Sequence, residues 1–142
     1  MLLVGGERER RTLPSAVRHA DLVNWQVGPA EFGRKGQVLA RLCEEAGRDP
    51  ATLRRTHAPN FQLFDSEHEF RLWREHRDRG MSAAEVGAYM RGRGAFYGTA
   101  AGIAEVIEEY VELGCGGFIV YCNASPDMTS LAQLVDLRPE CR

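Results

Sequence analysis

Two hydrophobic rhythms alternate along the chain. Short apolar runs such as Leu2-Leu3-Val4 and Leu22-Val23-Asn24-Trp25 are separated by longer stretches in which apolar residues recur every three or four positions. The first rhythm predicts buried strands and the second predicts helices with one apolar face. Met1-Leu2-Leu3-Val4-Gly5-Gly6 reads as a buried strand running into a glycine turn. Residues 11–20 then form a helix whose Leu13, Ala16, Val17 and Ala20 face a sheet, with Pro14 confined to the first turn. Leu22-Val23-Asn24-Trp25 is a second strand. Gly28-Pro29 opens the next helix, which carries Phe32, Leu39, Leu42, Cys43 and Ala46 on one side and stops at Gly47.

After a turn at Arg48-Asp49-Pro50, residues 53–64 read as a third strand interrupted at Pro59. The chain then becomes strongly charged, and residues 66–93 predict two short helices separated by Gly80. Arg91-Gly92-Arg93-Gly94 reads as a flexible basic hinge, so residues 65–97 form an excursion suited to a lid on the active face. The clearest helix follows Thr99 as N-cap. Its Ile103, Val106, Ile107, Tyr110 and Val111 share one side, Glu105, Glu108, Glu109 and Glu112 take the other, and Gly114 ends it. Residues 117–121 predict a fully buried fourth strand, and residues 126–137 a last helix stopped before Pro139.

Strand–helix alternation of this kind predicts an α/β fold with a parallel sheet. With 142 residues the chain suffices for about four strand–helix units, whereas an eight-unit barrel takes about 250 residues. A single domain spanning residues 1–142 is expected, holding part of such a fold. Apolar residues at 44% and charged residues at 27% are ordinary for a globular core, and a net charge of -2 offers no general attraction to nucleic acid or acidic lipid. No apolar run approaches a membrane span and no basic-then-apolar leader is present, so a cytoplasmic location is expected. Cys43, Cys115, Cys122 and Cys141 form no Cys-x-x-Cys pair, which fits a reduced compartment. Lys35 is the only lysine among 18 basic residues, a bias that carries no function of its own.

The junction of Val4, Gly5-Gly6 and the helix near Arg11 is where the chemistry concentrates. Free amide hydrogens and the helix dipole favour phosphate at such a junction, and glycine lets it approach closely. Arg8, Arg10 and Arg11 add positive charge and Thr12 a hydroxyl donor. The G-x-G-x-x-G dinucleotide fingerprint is absent. Among the histidines, His57 in the third strand is a pocket candidate. His19 is a helix-surface residue, and His68 and His76 are spaced too far apart for a helical metal pair, so no metal is expected. Trp25, following a strand end, is placed to stack on a flat ring, while Tyr121, Asn123 and Ser125 collect at the end of the fourth strand.

Leu3-Val4-Gly5-Gly6, Glu9-Arg10-Arg11-Thr12-Leu13, Ala16-Val17-Arg18-His19-Ala20-Asp21 and Asn24 together resemble the luciferase-like monooxygenase family, in its flavin or deazaflavin oxidoreductase branch. The resemblance continues through Arg34-Lys35, Cys43-Glu44-Glu45-Ala46-Gly47-Arg48-Asp49-Pro50, Gly98-Thr99 and the segment from Gly114 to Val120. It implies a (β/α)8 TIM barrel of which this chain supplies roughly the last four strand-helix units, the C-terminal half. It also implies FMN or coenzyme F420 as cofactor, with Gly5, Gly6 and Thr12 at the cofactor and Asn24 in the pocket; the residues themselves add Arg11 at the cofactor and Trp25 and His57 as substrate-pocket candidates. In such enzymes the cofactor carries the hydride or oxygen chemistry, so no catalytic side chain is obligatory. A partial barrel leaves sheet edges open, and pairing with another copy or with an N-terminal half-barrel partner is expected to cover them. Two readings stand beside the enzyme: a non-catalytic assembly subunit, and a truncated gene remnant.

Overall fold

The computed structural model describes residues 1–6, 8–76 and 80–122. The expected helix at 126–137, together with Glu7, Asn123, Ser125 and Cys141, lies outside the described residues. The described residues form strands β1 (Leu3–Gly5), β2 (Leu22–Trp25), β3 (Arg54–His57), β4 (Asn60–Leu63), β5 (Phe96–Gly98) and β6 (Tyr121–Cys122) and helices α1 (Thr12–His19), α2 (Pro29–Glu45), α3 (Glu67–His76), α4 (Ala83–Gly92) and α5 (Ala100–Glu112), with β3 running on into β4 and α3 preceding α4. Every strand pairing among the described residues is parallel. One sheet runs β1-β2-β3 and the other β5-β4-β6.

The expected third strand is two strands, because Pro59 has no N–H to donate and the ladder changes partners there. On one side, the β2 ladder ends where the Ala58 N–H donates to the Trp25 carbonyl at 2.9 Å, and β5 then takes that place against β4. On the other side the wall is continuous: His57 donates to Gly117, Ile119 donates to His57, and Tyr121 donates to the Pro59 carbonyl. The wall therefore reads β1, β2, β3 with β4, then residues 117–122, in the order of the sequence. Strand β5 is absent from the sequence reading, since three residues are too few to show a period.

Parallel register sends alternate residues to opposite faces. Val23, Trp25 and His57 face the helices and meet Leu13, Ala16 and Val17 of α1, Phe32, Leu39 and Cys43 of α2, and Ile103, Ile107 and Tyr110 of α5 in one core. Its centre is aromatic: His57 stacks on Tyr110 with centroids 4.2 Å apart, and Phe32 meets both Trp25 and Tyr110 edge-on at 5.3 Å. Arg48 closes the C-terminal end of α1, donating to the carbonyls of Val17 at 2.9 Å and Ala20 at 2.8 Å. The face away from the helices differs. Leu3, Ile119 and Tyr121 are exposed on it, Tyr121 to 53%, so β1 and the fourth strand are not buried on both faces as expected.

The segment read as a hinge is a packed seam. Gly28 N–H donates to the Gly92 carbonyl at 3.0 Å, and Gly94, at φ +69°, sits so tightly that a Cβ there would lie 2.3 Å from the Val27 oxygen. The excursion exists as two helices, each end of it tied to the wall. α4 begins in a reciprocal Ser82–Glu85 capping box. α3 lies against an aromatic group in which Trp73 meets Phe64 at 5.4 Å and Tyr97 at 5.2 Å.

Candidate functional site

The C-terminal ends of β1 and β2 carry the glycine loop. Gly5 pairs with Asn24, which pairs with Thr56, so these three residues form one row on the face away from the helices. Gly6 has φ +132°, a conformation L side chains rarely adopt, and a Cβ there would meet Thr12 Cγ2 and Oγ1 at 3.4 Å. Its N–H points at the Asn24 carbonyl, 3.4 Å away. The loop then closes a turn, Thr12 N–H donating to the Arg8 carbonyl at 2.8 Å, and enters α1 with no side-chain cap. Thr12 N–H is thus taken and Pro14 has none, so the first turn of α1 keeps few free donors.

Beside this loop lies an open cleft of about 580 Å³ lined by Arg8, Glu9, Arg10, Arg11, Val27, Glu31 and Lys35. Four cations face two carboxylates there, so the lining carries a positive excess suited to an anion. Glu9 ties the loop to α2: its carboxylate meets Arg34, and Lys35 Nζ lies 3.5 Å from Glu9 and 3.6 Å from Glu31. Arg34 also bonds Glu31 at 2.7 Å. The Arg34 hydrogen bonds hold both carboxyls below the usual glutamate range, and the same bonds raise the guanidinium. Lys35 is only 3% exposed, its stem buried along α2 while its head reaches the carboxylates.

The expected residues divide in two. Gly5, Gly6, Thr12 and Asn24 come together at the loop, and Arg11 lines the adjacent cleft. Trp25 and His57 do not join them. Both occupy register positions that point to the helices, at 1% and 0% exposure, and they are core residues rather than lining of any open surface. His57 is held at both ring nitrogens, Nδ1 lying 2.9 Å from the Trp25 carbonyl and Nε2 2.7 Å from that of Gly94. Burial lowers its pKa from the ordinary 6.5, against the pull of those two carbonyls. Burial likewise raises the Tyr110 phenol and the Cys115 thiol, which removes both as nucleophiles near neutral pH.

The sequence reading missed Glu9, Glu31, Lys35 and Thr56. Lys35 was visible in principle, because it shares helical phase with Phe32 and Leu39 and stands four residues after Glu31. Thr56 gave no local signal; its place depends on the pairing of β2 with β3. No group of three or more His, Cys, Asp or Glu among the described residues is placed to hold a metal, and no described helix is long and apolar enough to cross a membrane.

No protein-family model matches the sequence, and no curated protein matches it significantly. Solved structures do share its fold. An F420-dependent secondary alcohol dehydrogenase, in complex with an F420-acetone adduct, superposes with a TM-score of 0.71 at 14% identity over 97% of this chain and 48% of its own. EDTA monooxygenase from Chelativorans sp. BNC1 gives 0.71 at 12% identity over 95% and 42%. The coenzyme F420 dependent tetrahydromethanopterin reductase from Methanopyrus kandleri gives 0.68 at 15% identity over 94% and 48%. These neighbours are luciferase-like enzymes, and the chain has the fold of part of them: it spans less than half the length of each.

Proposed function

We infer that this chain is the C-terminal half-barrel portion, roughly the last four strand–helix units, of a luciferase-like oxidoreductase or monooxygenase that uses FMN or coenzyme F420 on a small organic substrate. The observation that carries the reading is the union of that fold with a glycine loop at the C-terminal ends of parallel strands, where Gly6 at φ +132° adjoins the uncapped start of α1. Parallel α/β folds bind ligands at those strand ends.

The residues present fit a phosphorylated flavin. Arg8, Arg10 and Arg11 would hold the phosphate, and Gly5 and Gly6 leave room for the cofactor to approach the backbone. When bound, the cofactor supplies the hydride or oxygen chemistry. The chain's own residues bind it, fix its direction across the strand ends and, through the Glu9 tie to α2, hold the loop in place. The excursion at residues 65–97 stands beside that face as a wall of the substrate space. A companion half, either another copy or an N-terminal half-barrel, covers the exposed face at Leu3, Ile119 and Tyr121.

Titration of the purified full chain with FMN, and separately with coenzyme F420, followed by cofactor fluorescence, tests the reading. Saturable binding of one of them supports it. Unchanged spectra at millimolar cofactor, together with a tight self-associated species, favour the assembly subunit instead.

A further inference from the structure

The loop that leaves Gly6 is tied to the rest of the fold through one side chain. Residues 8–11 hold three arginines and one glutamate, and Arg8, Arg10 and Arg11 are exposed. Among the described residues, every side-chain hydrogen bond and ion pair of this loop runs through the Glu9 carboxylate. Its partners stand on α2. Arg34 Nη2 meets both Glu9 Oε1 and Glu31 Oε1, and Lys35 Nζ lies 3.5 Å from the same Glu9 oxygen and 3.6 Å from the same Glu31 oxygen. Two oxygens and two nitrogens thus alternate around a closed ring, each cation shared by both carboxylates.

The ring decides which cations are left for a ligand. Its two positive and two negative charges balance, so the positive excess of the cleft falls to Arg8, Arg10 and Arg11. Lys35 is buried and held by α2, whereas Glu9 belongs to a loop that starts at Gly6, where φ is +132° and the backbone has most freedom. The lysine is therefore the fixed partner and the loop the adjustable one. Glu9 stands between Arg8 and Arg10 in the chain, so where it is held sets where both neighbours leave the backbone.

We propose that Glu9 and Lys35 are positioning residues: their contact latches residues 8–11 onto α2 and gathers the three arginines at one place for a phosphate-bearing ligand. The inference rests on the flavin or deazaflavin reading and adds a sign to it. By charge counting alone, a carboxylate inside an anion cleft repels the ligand, and its removal should tighten binding. A latch does the opposite. Its removal spreads the loop over many arrangements, and the apparent affinity falls with the fraction that is competent to bind.

The test measures dissociation constants of the full chain for FMN and for riboflavin, which has the ring and lacks the phosphate. Coenzyme F420 and its phosphate-free deazaflavin nucleoside replace them if F420 is the ligand the wild type takes. Glu9→Gln keeps the size and removes the charge; it should weaken the phosphorylated ligand about fivefold and leave its phosphate-free counterpart unaffected. Lys35→Met keeps a long apolar stem and should produce the same loss, and the double variant should bind no worse than either single one. The split between the two ligands separates this role from general destabilisation, which weakens both. The inference is overturned if Glu9→Gln tightens the phosphorylated ligand or leaves it unchanged, or if it weakens the phosphate-free one as much. It is also overturned if the losses multiply in the double variant, which would make Lys35 a direct ligand of the phosphate. Should Lys35→Met fail to fold, Glu9→Gln, at a partly exposed loop position, decides alone. A wild type that binds no flavin or deazaflavin overturns the functional reading itself, and is distinguished by appearing before any substitution is made.

Discussion

Gly94→Ala measures how firmly the excursion is joined to the wall, and Gly47→Ala supplies the control. Both glycines have nearly the same left-handed backbone, φ +69° and +67°, so both substitutions meet the same conformational cost of about 1 kcal/mol. They differ in surroundings. Nothing lies within 4 Å of a Cβ added at Gly47, whereas one at Gly94 would lie 2.3 Å from the Val27 oxygen, 2.5 Å from His57 Cε1 and 2.7 Å from the Tyr110 hydroxyl. Two of those are backbone or stacked ring and have little room to yield, so overpacking adds about 1–3 kcal/mol. The 2.6 Å hydrogen bond from Tyr110 to the Val27 carbonyl stands in the same place, and displacing it forfeits about 1 kcal/mol more. The expected loss is thus about 3–5 kcal/mol for Gly94→Ala and about 1 kcal/mol for Gly47→Ala. Urea unfolding of the full chain, followed by tryptophan fluorescence and circular dichroism, reads the difference. Equal losses at the two sites would mean that residues 91–94 are the flexible hinge suggested by their composition.

Tyr110→Phe should cost about 1–2 kcal/mol in the same assay without changing the denaturant slope, because it leaves the Val27 carbonyl buried and unpaired. His57 should impose a pH dependence. Burial lowers its folded pKa below 6.5, so the unfolded chain binds more protons as pH falls: the stabilisation is complete above about pH 6.5 and is lost as pH drops toward the folded pKa. His57→Gln should flatten that part of the stability–pH curve, and an unchanged slope between pH 5 and 7 would remove His57 as its source. Combined replacement of Arg8, Arg10 and Arg11 by alanine should weaken FMN binding and reduce its salt dependence while leaving riboflavin unaffected; equal losses for the two ligands would place the phosphate elsewhere.

Most of the architecture is legible in the sequence because it rests on local chemistry. Apolar spacing, Pro29 at the start of α2, Thr99 as N-cap of α5 and Gly114 at φ +83° after it are signals within a few residues of the elements they shape. Elements that depend on pairing were not legible. Pro59 was visible as an interruption, but its effect, a change of partner from β2 to β5, depends on a three-residue strand with no period of its own. The basic Arg91-Gly92-Arg93-Gly94 run looked mobile by composition, yet Gly94 is there because Val27, His57 and Tyr110 leave no room for a side chain.

The same division holds for the site. Gly5, Gly6 and Thr12 announce themselves as a strand–glycine–helix junction, and Asn24 follows from the resemblance and the end of β2. Trp25 and His57 drew attention as ring and imidazole, but strand parity turns both toward the helices, and parity could not be counted until the register Trp25 to His57 was known. Thr56 entered for the converse reason, an unremarkable residue placed in the Asn24 row by that register. Glu9 and Lys35 meet only because the loop folds back onto α2.

The central claim, that the strand ends and the face away from the helices bind a flavin-type cofactor, is tested most directly by mapping backbone amide shifts of the full chain as FMN or coenzyme F420 is added. The account predicts saturable shifts at Gly5, Gly6, Thr12, Asn24 and Thr56. Shifts confined to the outer surfaces of α2 and α5, or none at millimolar cofactor, would contradict it.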